Sequence, residues 1–302
     1  MNKLFIIPLR GRLGNQLFEY AFARAVQLKF GVPIIMDETP LRQLNIDNRL
    51  FGFKIASGIK FSIINREYSW KQNLALRFYG HFCPHNNMMG KYEHEKRFAH
   101  LYTRLGLFLC HDGYLPLPTT LPNGVTYSDG YFQSEQFFQD YKETILNDLS
   151  FKDEIKQSCT EWAKKINSAD FPVCMHIRLG DYVKHPLHGV ATIQYYNDAL
   201  AALRKKCPSA RVFVFSDNID AIKEAFPVEH EFTFIPSDLS DHQTMYLGSL
   251  CKGFIISNSS FSWWMQYLSK ATDKLVYAPS RWYNVPAPRD IYLKEWNLVE
   301  VK

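Results

Sequence analysis

Short apolar runs alternate with helical patterns along most of this 302-residue chain. The opening reads as a strand over Leu4–Pro8, a polar turn over Arg10–Asn15, a helix over Leu17–Phe30 and a strand over Pro33–Met36. Leu17, Tyr20, Ala21, Arg24, Ala25 and Leu28 recur at spacings of three and four, and Gly31 supplies the stop. From Thr39 to about Pro122 the pattern loosens into aromatic-rich pieces with scattered basic residues, and it predicts no definite elements there. Tyr127–Phe132 then reads as a strand and Glu135–Leu149 as a helix.

The second half is more regular. Helices are expected over Ile155–Ile166, Thr192–Lys206, Ile219–Phe226, His242–Cys251 and Phe261–Leu268. Strands are expected over Val173–Ile177, Arg211–Phe215, Phe232–Ile235, Phe254–Ser257 and Leu275–Ala278. Strands alternating with helices of this length imply right-handed crossovers and doubly wound parallel sheets. The expected fold is α/β, with one sheet-forming domain over residues 1–150 and another over 151–302.

Composition narrows the partners. The net charge of +5, from 35 basic and 30 acidic residues, is too mild and dispersed for a nucleic-acid footprint. It suits an anionic small molecule, or loose contact with an anionic membrane surface. The six cysteines include no Cys-x-x-Cys pair, which points to a reducing cytoplasm. No stretch approaches the length of a membrane span, and Leu4–Leu9 reads as a first strand rather than a signal peptide.

Three polar clusters fall at the carboxyl ends of expected strands, where open α/β sheets bind ligands. They are His176-Ile-Arg-Leu-Gly-Asp181, Ser216-Asp217-Asn218 and Ser257-Asn-Ser-Ser-Phe-Ser262. The first alone is equally an ion-paired turn or an anion site, because a guanidinium fork pairs two oxygens of a phosphate at once. The second alone is turn chemistry. Together the three read as a polar ligand cleft. Ser259, Ser260, Phe261 and Ser262 open a helix, whose free N–H groups and positive dipole end favour a phosphate. With Arg178 they form a candidate diphosphate seat. There is no glycine-rich dinucleotide or Walker loop, no His-Glu-x-x-His, and no Asp-x-Asp pair for a divalent metal. A bound diphosphate would be neutralised by Arg and backbone donors, without metal or cofactor.

Several segments resemble the α-1,2-fucosyltransferases of glycosyltransferase family 11 in their soluble bacterial form. These are Gly11-Arg-Leu-Gly-Asn-Gln-Leu-Phe18, Gly130-Tyr-Phe-Gln-Ser134 with Phe137, His176–Tyr182, and Ser249-Leu-Cys-Lys252 followed by Ile255–Trp264. The resemblance implies a GT-B-type architecture, two Rossmann-like domains facing a cleft. The N-terminal domain would serve the acceptor and the C-terminal domain the GDP-sugar. It implies inverting, metal-independent transfer of L-fucose from GDP-fucose to the 2-hydroxyl of a galactose-terminated glycan. That work belongs to lipopolysaccharide or O-antigen biosynthesis, in the cytoplasm or at the membrane periphery. Arg178 would hold the β-phosphate and Asn15 would reach the donor from the other domain; Asp181 completes the catalytic set. Arg12, Gly14, His176, Asp217, Asn218 and the Ser259–Ser262 segment would contact the donor.

Charge grows on the β-phosphate as the glycosidic bond breaks, so a guanidinium there stabilises the transition state more than the ground state. Leu179 stands where the family usually has a second Arg, and Thr244 where many relatives carry Asp, leaving guanine selection to Asp241, Asp217 or backbone carbonyls. Asp37, Glu19 and Asp181 are the candidate proton acceptors, and a strongly oxocarbenium-like transition state would need none. Trp263 and Trp264 read as helix core rather than sugar platforms, and Asn15 reads equally as a helix N-cap. Transfer of other regiochemistry, such as α-1,6, and a non-catalytic sugar-binding module are the alternatives. The acceptor glycan and the oligomeric state are not encoded in any motif.

Overall fold

The chain divides into two compact units, residues 1–150 with 286–292, and residues 151–285 with 293–302. The computed structural model describes residues 3–178, 186–216, 218–225 and 232–301.

The first unit contains β1 (Lys3–Pro8), α1 (Leu13–Phe30), β2 (Ile34–Asp37), α2 (Thr39–Gln43), β3 (Ile59–Ser62), α3 (Trp70–Phe82), α4 (Met88–Arg104), β4 (Leu107–Leu109), β5 (Gly124–Asp129) and α5 (Lys142–Asp148). Its five strands are parallel, in the order β3-β2-β1-β5-β4. Phe5 and Ile7 of β1 and Leu17, Phe18 and Phe22 of α1 are fully buried. Gly31 ends α1 in the left-handed region and returns its N–H to the Gln27 carbonyl, as the sequence implies.

α1 starts at Leu13, ahead of the expected Leu17, with Arg12 at its N-cap. Asn15 therefore lies inside the first turn, and its capping reading is corrected. α3 and α4 occupy the stretch whose pattern predicted no elements. A Ser69–Gln72 capping box starts α3 and the Asn87 side chain caps α4. Their exposed faces carry Trp70, Leu74, Phe82 and Leu101, which blurs the amphipathic period from which a helix is read. The expected Glu135–Leu149 helix breaks into two short 3₁₀ turns, at Glu135–Phe137 and Gln139–Tyr141, before α5. β5 ends at Asp129, three residues before the expected Phe132.

The second unit contains α6 (Asp153–Ser158), α7 (Thr160–Asn167), β6 (Phe171–Ile177), α8 (Ile193–Lys206), β7 (Ala210–Ser216), α9 (Ile219–Ala225), β8 (Phe232–Phe234), α10 (Asp241–Ser249), β9 (Gly253–Ile255), α11 (Ser260–Tyr267), β10 (Leu275–Pro279) and β11 (Asn297–Val299). Its parallel sheet has the order β11-β10-β9-β6-β7-β8. The elements follow the expected series, except that Ile155–Ile166 splits at Cys159 and β11 was not foreseen. Trp263, Trp264, Cys174 and Cys251 are all fully buried. Among the described residues no helix is long and apolar enough to cross a membrane.

In the second sheet the strand order reverses once: β7 and β8 leave β6 on one side, and the chain returns as β9 on the other and steps outward to β10 and β11. In the first sheet β2 and β3 leave β1 on one side, and the chain then crosses to the far edge as β4 before β5 fills the place beside β1. Carboxyl ends flanking such a reversal open a crevice, because the loops there run in opposite directions. Gly130 locks the turn after β5: its φ is +149°, and a Cβ would lie 1.8 Å from the Cys110 carbonyl oxygen after β4. Gly130→Ala should therefore destabilise the first unit by about 3 kcal/mol or more. That is a fall of about 6–12 °C in its Tm, measurable by circular dichroism.

Candidate functional site

In the second unit, β6 runs directly into Arg178, and β9 runs through Ser257–Ser259 into α11. These are the two strands that flank the reversal. The His176 imidazole joins them below the surface. Its Nδ1 lies 2.6 Å from Ser262 Oγ and 3.1 Å from Ser257 Oγ, and the two hydroxyls are 2.8 Å apart. Burial, reinforced by the neighbouring Arg178 charge, pushes the His176 pKa down to about 3. The ring is therefore neutral, and Arg178 is the cation at this edge.

The β9–α11 loop is pinned by its own backbone and side chains. Asn258 Nδ2 donates to the carbonyls of His188, at 3.0 Å, and Trp282, at 2.9 Å. Tyr195 donates its hydroxyl to the Ile256 carbonyl at 2.6 Å. Ser259 caps α11 by accepting from Phe261 N. Ser262 and Ser259 are both buried, so the expectation that their hydroxyls face a ligand is corrected: Ser262 holds His176 and Ser259 holds the helix start. The partly exposed residues at the α11 N-terminus are Ser260 and Phe261. Asn218 follows β7 and is exposed, its N–H donating to Ser216 Oγ at 3.1 Å. Asp181 and Asp217 lie outside the described residues.

In the first unit, the turn after β1 is shaped by Gly11, at φ +64°. A Cβ there would meet Asn15 Nδ2 at 2.6 Å, so glycine lets the Asn15 side chain lie under the turn. Asn15 Oδ1 accepts from Gln133 Nε2 at 2.9 Å, tying the opening motif to the Gly130–Ser134 segment. Arg12 is exposed at the head of α1, and Gly14 is buried in its first turn. Gln16, fully buried, donates to the carbonyls of Gly11 and Asp47 and accepts from Arg49 N. It holds the turn's floor, a role that sequence reasoning missed.

A charged network at the carboxyl ends of β1 and β5 was also missed. Arg10 Nη1 pairs with Asp129 Oδ1, and His111 Nε2 lies 3.5 Å from the same oxygen. His111 Nδ1 is 2.6 Å from Glu95 Oε1, which also accepts from the Tyr79 hydroxyl at 2.7 Å. Burial alone would lower the His111 pKa, but the hydrogen bonds and charges of Asp129 and Glu95 hold it up to about 9. Burial would raise the Asp129 pKa, yet His111 and Arg10 hold its carboxyl well below the usual range. Asp129 is thus an anion whose side chain is 33% exposed. The carboxylates expected as proton acceptors sit differently. Asp37 Oδ1 accepts from Thr39 N and Oδ2 from Arg66 Nε. Glu19 is fully buried with Oε2 on Arg10 N, and burial pushes its pKa well up. The signal for Asp129 was its place at a strand end, which the late placement of that strand concealed.

Two parallel sheets flanked by helices, one in each unit, make an α/β fold of the GT-B type. The fold is similar to that of the NodZ α-1,6-fucosyltransferase co-crystallised with GDP, with a TM-score of 0.54 over 88% of this chain and 92% of that one, at 14% identity. Residues 114–300 match glycosyl transferase family 11, and the chain belongs to that family. It is 26% identical to the alpha-1,2-colitosyltransferase of Escherichia coli over 288 residues, 93% of this chain and 92% of the relative. It is 27% identical to the O-antigen biosynthesis glycosyltransferase WbnK of Escherichia coli over 162 residues, 51% of this chain and 54% of that one.

The neutral state of His176 carries a pH signature. A histidine whose folded pKa is depressed from 6.5 contributes stability that is complete above 6.5 and is lost as pH falls toward about 3. Between pH 7 and about pH 4.5 this removes up to about 2–3 kcal/mol from unfolding. Urea unfolding at the two pH values checks it, and His176→Asn should flatten the slope.

Proposed function

We propose that this glycosyltransferase moves L-fucose from GDP-fucose to the 2-hydroxyl of a terminal galactose, with inversion and without metal. The observation that carries the reading is the β6–β9 reversal, where Arg178 follows β6 and a buried neutral imidazole ties the end of β6 to the loop entering α11. A cation at a strand end and the positive dipole end of a helix suit a diphosphate leaving group. Arg178 holds the β-phosphate and stabilises its growing charge, while the N-terminal end of α11 adds its dipole. Asp181, Asp217 and Asn218 remain donor-side candidates, as do Asn15, Arg12 and Gly14 from the first unit. The setting is O-antigen assembly in the cytoplasm, with peripheral contact to a membrane.

The first unit supplies the acceptor side. Arg10 is already neutralised by Asp129, so this pair is poorly suited to a second phosphate. Fixed planar donors and acceptors of this kind suit sugar hydroxyls instead. The attacking hydroxyl displaces GDP in a single step, forming the new C–O bond opposite the one that breaks, and releases its proton to solvent as that bond forms. Asp129 stays ionised and accepts an acceptor hydroxyl.

A second donor reading is favoured by one observation: the relative aligned over 93% of this chain is named for colitosyl transfer, in α-1,2 linkage. GDP release from a panel of GDP-sugars with lactose as acceptor separates the donors, and NMR of the product reports the linkage. An α-1,6 product would overturn the regiochemistry. Saturable glycan binding without GDP release would mark a non-catalytic module.

Arg178→Ala should lower kcat/KM on the accepted donor by about 100–1000-fold with unfolding unchanged; near-normal turnover would refute the seat. Asp129→Asn should raise KM for the acceptor about tenfold or more, with donor KM unchanged. A shift in donor KM alone would reassign that carboxylate.

A further inference from the structure

The positive charge of this chain is concentrated in one stretch. Residues 42–104 hold eleven Lys and Arg against four Asp and Glu, a net +7, so the remainder of the +5 chain sums to −2. The same stretch contains Leu44, Phe51, Ile63, Trp70, Leu74, Phe82 and Leu101, the seven most exposed large apolar side chains among the described residues. Neither the donor seat nor the Arg10–Asp129 network uses any of them.

Charge and apolar surface meet on α3 and α4. The two helices pack through Phe78 and Phe98, whose rings are 5.2 Å apart, and through Tyr79 and Tyr102, at 5.8 Å. α3 turns Ala75 and Tyr79 into the core. Its outward side presents Trp70 (73% exposed), Leu74 (60%) and Phe82 (59%) with Lys71 and Arg77, and no acidic residue lies on the helix. The outward side of α4 runs Glu93, Lys96, Arg97, His100, Leu101 and Arg104, the spacing of a single helical face. Five cations thus face one carboxylate. None of the five is in an ion pair among the described residues. Lys71 Nζ lies 5.6 Å from the centre of the Trp70 ring, so aromatic and cation are presented together.

Water gives no reason to expose a tryptophan, a leucine and a phenylalanine on one short helix, and contiguous patches of this kind mark interaction sites. Aromatic and aliphatic side chains rimmed by Lys and Arg match a bilayer interface: the rings enter the headgroup boundary while the cations meet lipid phosphates. We propose that the outward face of α3 and α4 docks on an anionic lipid surface. Charge complementarity selects this occupant. A second copy of the chain would bring five cations against five.

The test is sedimentation of the full chain with vesicles of phosphatidylcholine, with and without phosphatidylglycerol; it needs neither donor nor acceptor, so it stands apart from the assigned reaction. Binding should require phosphatidylglycerol, weaken as salt is raised, and shift Trp fluorescence to the blue. Each cation at such a surface contributes about fivefold to partitioning, so Lys71→Gln with Arg77→Gln should weaken it about tenfold or more. Trp70→Ser with Leu74→Ser should do the same and remove the blue shift, while thermal unfolding and GDP release with a soluble acceptor stay unchanged. Equal sedimentation with both vesicle types, or binding that both double variants retain, would overturn the proposal. So would a dimer of the wild-type chain that Trp70→Ser converts to a monomer.

Discussion

The imidazole of His176 lies between the hydroxyls of Ser257 and Ser262, joining the end of β6 to the loop that β9 feeds into α11. These three groups are buried, and a buried polar group that lost its partner would be costly. Each fixes the others, and the loop can then be held at its remaining corners by Asn258 and Tyr195. Arg178 follows His176 by two residues, so the guanidinium leaves the sheet from a backbone set by that triangle. The serines lie buried at the strand ends, where they hold the loop to β6.

Each sheet has an arginine beyond a strand end with a histidine near it, and the two histidines have opposite electrostatic settings. Beyond β1, Arg10 is paired with Asp129, and the anion is shared with a His111 that stays charged well above neutrality. Beyond β6, burial and the nearby guanidinium keep the histidine uncharged. Carboxylates thus set the charge of the ring near β1, whereas burial sets that of the ring near β6. This contrast supports assigning donor and acceptor duties to different units.

The second unit was the more legible half because its helices bury one face and its strands are nearly all apolar. The clusters at His176–Arg178 and Ser257–Ser262 could be placed on strand ends before any coordinates. Their division of labour could not: nothing in a run of serines says which hydroxyls turn inward. The first unit was harder to read for a different reason. β4 is three residues long and β3 four, too short for periodicity to register. α3 and α4 carry apolar side chains on both faces. His111 and Glu95 become partners only when β4 and α4 are placed, so the network around Asp129 had no linear signature.

Asp290 lies in the short segment that leaves the second half of the sequence and clusters with the first unit. Its carboxylate accepts from Tyr114 N and from Gln136 Nε2, each at 3.1 Å. A nascent chain can form the strands of the first unit early, as domains usually fold in order of synthesis. These two hydrogen bonds must wait until the ribosome has passed through the whole of the second sheet's β6–β10. Completion of the first unit is therefore timed by translation of the other, and the half made first is the half finished late.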